Sequence, residues 1–186
     1  MERYHRQTLL ALAREALQST LSHVPMPIYD RLKTEQNAPF DHELGCFVTL
    51  KTQEGELRGC IGNLWGKGPL WQEVPNLARE SAFNDPRFHP VAKEELDLLV
   101  IEISLLSAMQ SISDYHQIRL GVDGTLLTHG YHRAVFLPQV ATEQGWDLDT
   151  MLERLSCKAG LWPKAYTDEA CRFEVFQAEV FSEADR

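Results

Sequence analysis

The stretch GCFVTLKTQEGELRGCIG, residues 45–62, indicates how this chain begins to build its sheet structure. Its two ends, GCFVTL (45–50) and ELRGCIG (56–62), are rich in β-branched, aromatic and aliphatic residues. The intervening TQEG combines polar residues with glycine, which is typical of a turn. We therefore predict a β-hairpin in which LRGCIG forms the return strand.

Side chains alternate between the two faces of such a strand, and this alternation separates the residues of LRGCIG into two sets. Arg58 and Cys60 share one face, whereas Leu57 and Ile61 share the other. Apolar side chains face a core, so we expect Leu57 and Ile61 to be buried and Arg58 and Cys60 to face away. The glycines at 59 and 62 would let a substrate or another chain segment approach the backbone closely.

The remaining segments mix helical and strand patterns. We predict helices where apolar residues recur at helical spacing, strands where β-formers are concentrated, and a long loop where prolines and polar residues dominate. The predicted helices cover the region of Leu9 to Leu21, residues 70–83 with a kink or a true start at Pro75, and residues 147–160 with Asp147 or Asp149 as the N-cap and Gly160 just past the end. The predicted strands are 96–106, a second hairpin at 121–139 and one closing strand at 171–181; the predicted loop is 24–43.

This order contains no regular alternation of strand and helix, so it does not favour a parallel sheet. We predict an α+β fold with antiparallel sheets and flanking helices. The 186 residues suffice for one domain, 1–186, with a sizeable core.

Composition narrows the classes of function. The net charge is −9, and a protein that binds a phosphate backbone needs lysines and arginines, so a nucleic-acid partner is disfavoured. No apolar run is long enough to span a membrane, and the start MERYHRQTLL lacks a signal-peptide pattern. We expect a cytoplasmic protein with reduced thiols.

Metal and cofactor motifs are sparse. The four cysteines include no C-x-x-C pair, and His129 and His132 form an H-x-x-H on a predicted turn without an evident third ligand. No motif for NAD or ATP is present. We therefore predict no metal site and no cofactor of the chain's own, although a cofactor could belong to a partner.

Two interpretations of Cys60 stay open. A nucleophilic cysteine needs a nearby positive charge or an oriented histidine, and Arg58 on the same face could bias the thiol without deprotonating it. Alternatively, the glycines mark a bulge or close packing, and Cys60 is a small buried apolar residue.

The segment NDPRFHP (84–90) supplies further candidates. Asp85 can cap a turn, and Arg87 on a loop fixed by prolines is suited to binding a carboxylate or phosphate. His89 could approach Cys60 through folding, because catalytic partners often come from distant positions. A surface or turn role is the alternative for these residues.

Taken together, the motifs resemble those of the AMMECR family, including the form called AmmeMemoRadiSam system protein A. The similarity runs from the first helix to the last strand. The motifs that carry it are Leu57–Gly62, Asn84–Phe88, Ile103–Ser107, Gly121–Gly124, Phe136–Val140 and Trp146-Asp147.

The resemblance implies two unequal, interleaved α/β subdomains around a cleft lined by RGCIG. It also implies co-occurrence with a Memo-like protein and a radical SAM protein, and it places six residues at the cleft: Arg58, Gly59, Cys60, Gly62, Asp85 and Arg87. Of these we predict that Cys60 and Arg58 are catalytic and that Gly59, Gly62, Asp85 and Arg87 bind the substrate. The leading hypothesis is an enzyme or the substrate-binding component of a modification system; the rival is a non-catalytic scaffold or binding partner of the Memo-like protein, and RNA-related binding is disfavoured by charge.

Overall fold

The computed structural model describes residues 1–35 and 38–185. The chain divides into two units: the residues up to Leu106 together with the segment from Glu179 onward, and Ser107–Ala178. We call them unit 1 and unit 2. In chain order the elements are α1 (Arg3–Ser22), α2 (Pro27–Thr34), α3 (Ala38–Asp41), β1 (Cys46–Thr52), β2 (Leu57–Asn63), α4 (Leu70–Phe83), β3 (Leu99–Leu106), β4 (Gln110–Ile112), β5 (Gly124–His129), β6 (His132–Phe136), α5 (Gln139–Glu143), α6 (Leu148–Lys158), β7 (Arg172–Phe176) and β8 (Ala178–Ser182).

Unit 1 is built on a sheet with the strand order β2-β1-β3-β8. Strand β1 runs antiparallel to both β2 and β3, which confirms the first predicted hairpin and the antiparallel α+β class. Val48, Leu50 and Ile101 are fully buried and belong to one core with apolar residues of α1 and α4. Burying each such side chain contributes about 1.5–3 kcal/mol, so this face of the sheet is firmly fixed.

The hairpin contains a β-bulge that corrects the predicted orientation of Leu57. Leu50 lies opposite Gly59, but Lys51 lies opposite Leu57, so Arg58 is the extra residue on β2. A bulge interrupts the strict alternation of faces. Ile61 packs against the core as predicted, whereas Leu57 is 43% exposed, so its predicted burial is wrong.

Helix α1 forms where the apolar spacing predicted a helix. One of its polar residues has a role that the sequence did not indicate. Glu15 is buried, and its two carboxylate oxygens accept the backbone N–H groups of Ile28 at 3.0 Å and Tyr29 at 3.1 Å. A carboxylate at a helix N-terminus satisfies unpaired N–H groups and complements the helix dipole. Glu15 thereby caps α2 from a distant point in the sequence.

This cap helps to explain why the predicted loop at 24–43 is wrong: α2 and α3 lie within it. Pro27 occupies the first turn of α2, where the N–H that proline lacks is not needed. The part of the predicted loop at 36–37 lies outside the described residues.

Helix α4 begins at Leu70, so a start at Pro75 is wrong. The turn before Pro75 is retained although proline removes one helical hydrogen bond. Leu70 and Val74 are both fully buried in the core of unit 1, and this packing offsets the lost bond.

Unit 2 contains a second antiparallel sheet, with the order β4-β7-β5-β6. The predicted hairpin is formed by β5 and β6, and α6 packs its apolar face into the core of this unit. Asp147 is the N-cap of α6 and accepts the Thr150 N–H at 2.9 Å, while Gly160 follows the helix with φ +79°. Both end signals are therefore confirmed.

The single closing strand predicted at 171–181 is wrong, because two strands occupy this segment. Strand β7 joins the second sheet and β8 joins the first. Between them, Gln177 exchanges two hydrogen bonds with Ser107: its N–H donates to Ser107 Oγ at 2.9 Å and its carbonyl accepts the Ser107 N–H at 2.8 Å. Pattern alone could not reveal that the pairing partner changes at this residue. Of the helices described, none is long and apolar enough to cross a membrane.

Candidate functional site

All six predicted site residues lie in unit 1, on two neighbouring segments. Arg58, Gly59, Cys60 and Gly62 belong to β2, an edge strand of the sheet, and Asp85 and Arg87 belong to the loop after α4. Hydrogen bonds join the two segments.

Asp85 is the centre of this connection. It is only 4% exposed, and its Oδ2 accepts the backbone N–H of Cys60 at 2.8 Å. Arg87 donates to the same carboxylate from Nε at 2.9 Å, from Nη2 at 2.7 Å and from its backbone N–H at 3.1 Å. The hydrogen bonds from the Arg87 side chain, followed by that from Cys60, hold the pKa of Asp85 well below its usual range. Asp85 is therefore an ionised structural anchor and is poorly suited to act as a proton donor.

Arg87 completes the contact with Cys60. Its Nη2 also donates to the Cys60 carbonyl oxygen at 3.2 Å. Asp85 and Arg87 thus form hydrogen bonds with the N–H and the C=O of Cys60 on an edge strand, as a neighbouring strand would. The segments NDPRF and RGCIG form one hydrogen-bonded substructure.

A second anchor, Ser81 of α4, was not singled out by the sequence. Its buried hydroxyl accepts the Ile61 N–H at 2.9 Å and donates to the Val48 carbonyl at 2.7 Å. Val48 and Ile61 lie directly opposite each other on β1 and β2, so Ser81 relays a hydrogen bond between the two strands. One feature of the sequence could have identified Ser81: it lies seven residues after Val74 and is therefore a polar residue on the apolar face of the helix.

The two glycines have distinct packing roles. A Cβ on Gly59 would lie 2.1 Å from the Ser81 carbonyl oxygen, so the bare backbone lets α4 approach β2. A Cβ on Gly62 would lie 2.3 Å from the ring of Phe47, which covers that position from the opposite strand. Direct contact of either glycine with a substrate stays a prediction.

The Cys60 thiol is half-buried and has a neutral partner. Thr49, opposite Cys60 on β1, places its Oγ1 3.2 Å from the Cys60 sulfur and donates to it. Within the described part of the chain, no histidine nitrogen forms a hydrogen bond with this sulfur. His89, the histidine considered as its partner, instead lines the pocket described below. The thiol is oriented, but the residues described around it provide no evident general base.

Arg58 forms a bidentate ion pair with Glu95, and one of its guanidinium nitrogens has no hydrogen-bond partner among the described residues. Its Nε and Nη2 donate to the two carboxylate oxygens of Glu95 at 3.1 and 3.2 Å. Its Nη1 is buried and has no hydrogen-bond partner among the residues at 1–35 and 38–185. The Arg58 side chain, followed by the Ala92 N–H, lowers the pKa of Glu95 from its ordinary value, so this carboxylate is ionised at neutral pH.

Arg58 and Arg87 line one open pocket of about 390 Å³, together with Pro86, Phe88 and His89. The Phe88 ring centroid is 6.0 Å from the guanidinium carbon of Arg58 and 5.5 Å from that of Arg87, which are cation–π distances. A volume of this size suits a small ligand, and the lining offers guanidinium donors beside an aromatic ring. Arg58 also borders a second pocket of about 220 Å³ that Glu95 and Leu98 help to line.

The H-x-x-H pair closes the β5–β6 hairpin. His129 lies opposite His132, whose Nδ1 is 2.9 Å from the Ala159 carbonyl, and His129 Nε2 is 3.7 Å from Asp168. No group of three or more potential metal ligands occurs in the described ranges.

Comparison with known proteins identifies relatives of this chain. The AMMECR1 family model matches residues 10–181. A protein of Methanothermobacter thermautotrophicus is 39% identical over 95% of this chain and 93% of its own length, and protein MJ0810 of Methanocaldococcus jannaschii is 39% identical over 78% and 76%. The crystal structure of the uncharacterized protein PH0010 from Pyrococcus horikoshii has a TM-score of 0.85 and 33% identity, covering 99% of this chain and 94% of that one. The chain therefore belongs to the AMMECR1 family.

Proposed function

We propose that this AMMECR1-family protein is the substrate-binding component of a modification system, or an enzyme, and that Arg58 and Arg87 hold an anionic group of its substrate. The observation that carries the proposal is that the guanidinium groups of Arg58 and Arg87 meet beside the ring of Phe88 in one pocket of about 390 Å³. Hydrogen bonds from an arginine to a carboxylate or phosphate are charge-assisted and stronger than neutral ones. The side chain of Arg87 is 54% exposed and is therefore accessible to such an anion.

The loop that bears Arg87 supports binding because it is already rigid. Asp85 fixes the Arg87 guanidinium and anchors the loop to Cys60 before any ligand arrives. A pre-organised arginine loses little conformational freedom when it binds a carboxylate or phosphate. The pocket belongs wholly to unit 1, so the proposal depends on that unit alone.

Cys60 is the reactive group of this proposal, as a thiol that attacks the substrate or is itself modified. Its hydrogen bond from Thr49 orients the sulfur, and Arg87 bonded to its carbonyl connects it to the pocket. Because residues 1–35 and 38–185 place no general base beside this thiol, modification by a partner fits its surroundings better than unaided nucleophilic attack. Any cofactor would then be supplied by the partner. A cytoplasmic location and the Memo-like and radical SAM partners are parts of the same proposal.

The test uses ligand-observed NMR with benzoate and phenyl phosphate, two anions that share an aromatic group. We expect saturable binding of at least one probe to the wild type, loss of that binding in Arg58→Gln, and retention in the matched control Arg31→Gln, which changes an arginine of α2. Binding that is equal in all three proteins, or absent from the wild type, would contradict the proposal.

The rival function, a scaffold that docks the Memo-like protein, is favoured by two exposed apolar side chains in unit 1. Leu57 is 43% exposed and Leu98 is 59% exposed, and Leu98 borders the pocket that also contains Glu95. Pull-down with the Memo-like protein separates the two functions. Stable one-to-one association without a small molecule, abolished by Leu98→Ser but not by Cys60→Ala, would favour the scaffold.

RNA-related binding is not favoured by the surroundings of the basic residues. Arg58 and Arg87 are each paired with a carboxylate, which weakens the positive field available to a phosphate backbone. Arg79 donates to Thr20 and Asn76.

A further inference from the structure

We propose that Glu95 determines the specificity of the pocket, so that it selects a singly charged carboxylate over a doubly charged phosphate. This inference rests on the proposed function, since it names the class of anion that Arg58 and Arg87 would hold. Glu95 lies outside the motifs that the sequence brought forward, in the short 3₁₀ helix Lys93–Leu98.

The charges around the pocket favour a carboxylate. The two guanidinium groups that line the pocket are each bound to a carboxylate, Arg58 to Glu95 and Arg87 to Asp85. Their formal charges therefore cancel. A phosphate monoester carries about −1.5 to −2 at neutral pH, whereas a carboxylate carries one charge. Attraction by the guanidinium groups and repulsion by Glu95 and Asp85 both increase with ligand charge and offset each other, so the larger cost of removing a doubly charged anion from water weighs against the phosphate.

The guanidinium groups of the pocket have few nitrogens free to donate to a ligand. Arg58 has committed Nε and Nη2 to Glu95, and Arg87 has committed Nε and Nη2 to Asp85. Bidentate recognition of a phosphate uses two neighbouring guanidinium nitrogens. The remaining nitrogen of Arg58, Nη1, is buried, so Arg58 presents no pair of free neighbouring nitrogens to a phosphate.

Glu95 is not easily displaced from Arg58. Its Oε2 also accepts the Ala92 N–H at 2.7 Å at the start of the 3₁₀ helix. A phosphate that competed for Arg58 would have to break this bond as well as the ion pair. Glu95 is therefore a fixed part of the pocket's electrostatics, and the guanidinium of Arg58 is held in one orientation by it.

The experiment compares Glu95→Gln with Glu94→Gln, which removes the same charge from an exposed neighbour in the same 3₁₀ helix. Affinities for benzoate and phenyl phosphate are measured by NMR titration at constant ionic strength and at about pH 8, where the phosphate is fully doubly charged. We expect the wild type to bind benzoate more tightly. In Glu95→Gln we expect the ratio of affinities to shift towards phenyl phosphate by about fivefold, because one nearby negative charge is removed from a partly exposed site. In Glu94→Gln the ratio should change by less than about twofold, since an exposed charge is screened.

The outcomes separate this inference from the proposed function. If the wild type binds benzoate but Glu95→Gln shifts the ratio no more than Glu94→Gln does, the role of Glu95 is refuted and the anion site stands. If neither probe binds the wild type or Glu95→Gln, the anion site itself is refuted. Glu95→Gln keeps an oxygen that can accept the Ala92 N–H, and circular dichroism checks its fold. Should that variant unfold, the wild-type ratio decides, because tighter binding of phenyl phosphate than of benzoate overturns the inference without any variant.

Discussion

The carboxylate of Asp85 accepts the backbone N–H of Cys60 at 2.8 Å, and this contact joins the NDPRF loop to the RGCIG strand. The same carboxylate binds the Arg87 guanidinium, which reaches back to the Cys60 carbonyl. Two motifs that lie 25 residues apart are thus a single arrangement around one backbone unit of an edge strand.

Replacing Asp85 by asparagine should destabilise unit 1. Asparagine can still accept the Cys60 N–H, but it leaves Arg87 without its anion. Because Arg87 is 54% exposed, we expect a loss of about 1–3 kcal/mol in the free energy of unfolding, less than for a fully buried pair. Urea denaturation measures it, and Asp114→Asn, which alters an exposed pair with His116, should cost clearly less. Equal losses in the two variants would show that the Asp85 contacts contribute little.

The lowered pKa of Asp85 predicts a loss of stability in acid. A carboxyl group whose pKa is lower in the folded state contributes stability above its unfolded pKa, about 4, and that stability is lost as the pH falls towards the folded pKa. The free energy of unfolding of the wild type should therefore decline below about pH 4. Asp85→Asn should show a shallower decline, measured by urea denaturation over a pH series. Parallel curves for the two proteins would contradict this linkage.

Gly59→Ala should be poorly tolerated. The added Cβ would lie 2.1 Å from the Ser81 carbonyl oxygen, which is main-chain and cannot rotate away, so α4 or β2 must shift. Overpacking of this kind costs about 1–3 kcal/mol or more, which lowers the melting temperature by several degrees. The control is Gly68→Ala, where the nearest atom would be 3.8 Å away. A melting temperature that Gly59→Ala leaves unchanged would mean that α4 is not held against β2 as described.

Ser81→Ala should loosen the connection between β1 and β2. The change leaves the Ile61 N–H and the Val48 carbonyl without the hydroxyl that bridges them, at a cost of about 1–3 kcal/mol. Hydrogen exchange resolved by residue is the appropriate measurement. The Ile61 amide should exchange faster than in the wild type, while amides of the β5–β6 hairpin in unit 2 should not change. Unaltered protection of Ile61 would contradict the relay.

The four thiols should react with iodoacetamide at different rates. Cys157 is exposed and should react readily, whereas burial raises the pKa of the Cys46 thiol to about 12 and should make it nearly inert. Because the partner of Cys60 is a neutral hydroxyl, we expect Cys60 to react no faster than Cys157. Mass spectrometry after timed labelling measures each site. A Cys60 rate well above that of Cys157 would instead support nucleophilic catalysis by this residue.

Local patterns were sufficient for most helices and strands. The spacing of Leu9, Ala13 and Leu17 defined α1, and Asp147 and Gly160 marked the ends of α6, because these signals act within a few residues. The errors arose where distant residues intervene. Helix α2 receives its cap from Glu15, and the segment at 171–181 changes sheets at Gln177.

The candidate site shows the same division. Sequence motifs brought Arg58, Cys60, Asp85 and Arg87 forward, but gave no indication that Asp85 bonds to the Cys60 backbone. The glycines suggested a bulge as one alternative, but neither its position at Arg58 nor the exposure of Leu57 was indicated, since both depend on the register between β1 and β2.

The sequence by itself determined most of the helices and strands of this protein, its α+β class and the family to which it belongs, because periodicity, turn chemistry and motif order are properties of the chain order alone. Only the tertiary structure decided the partners of the site residues. These partners are distant in the sequence: the hydrogen bonds of Glu95 with Arg58, of Ser81 with Val48 and Ile61, and of Thr49 with the Cys60 sulfur join residues 11 to 37 positions apart. Hydrogen bonds and ion pairs act over a few ångströms of space, so their partners are fixed by how the sheet and helices pack and not by their order in the chain.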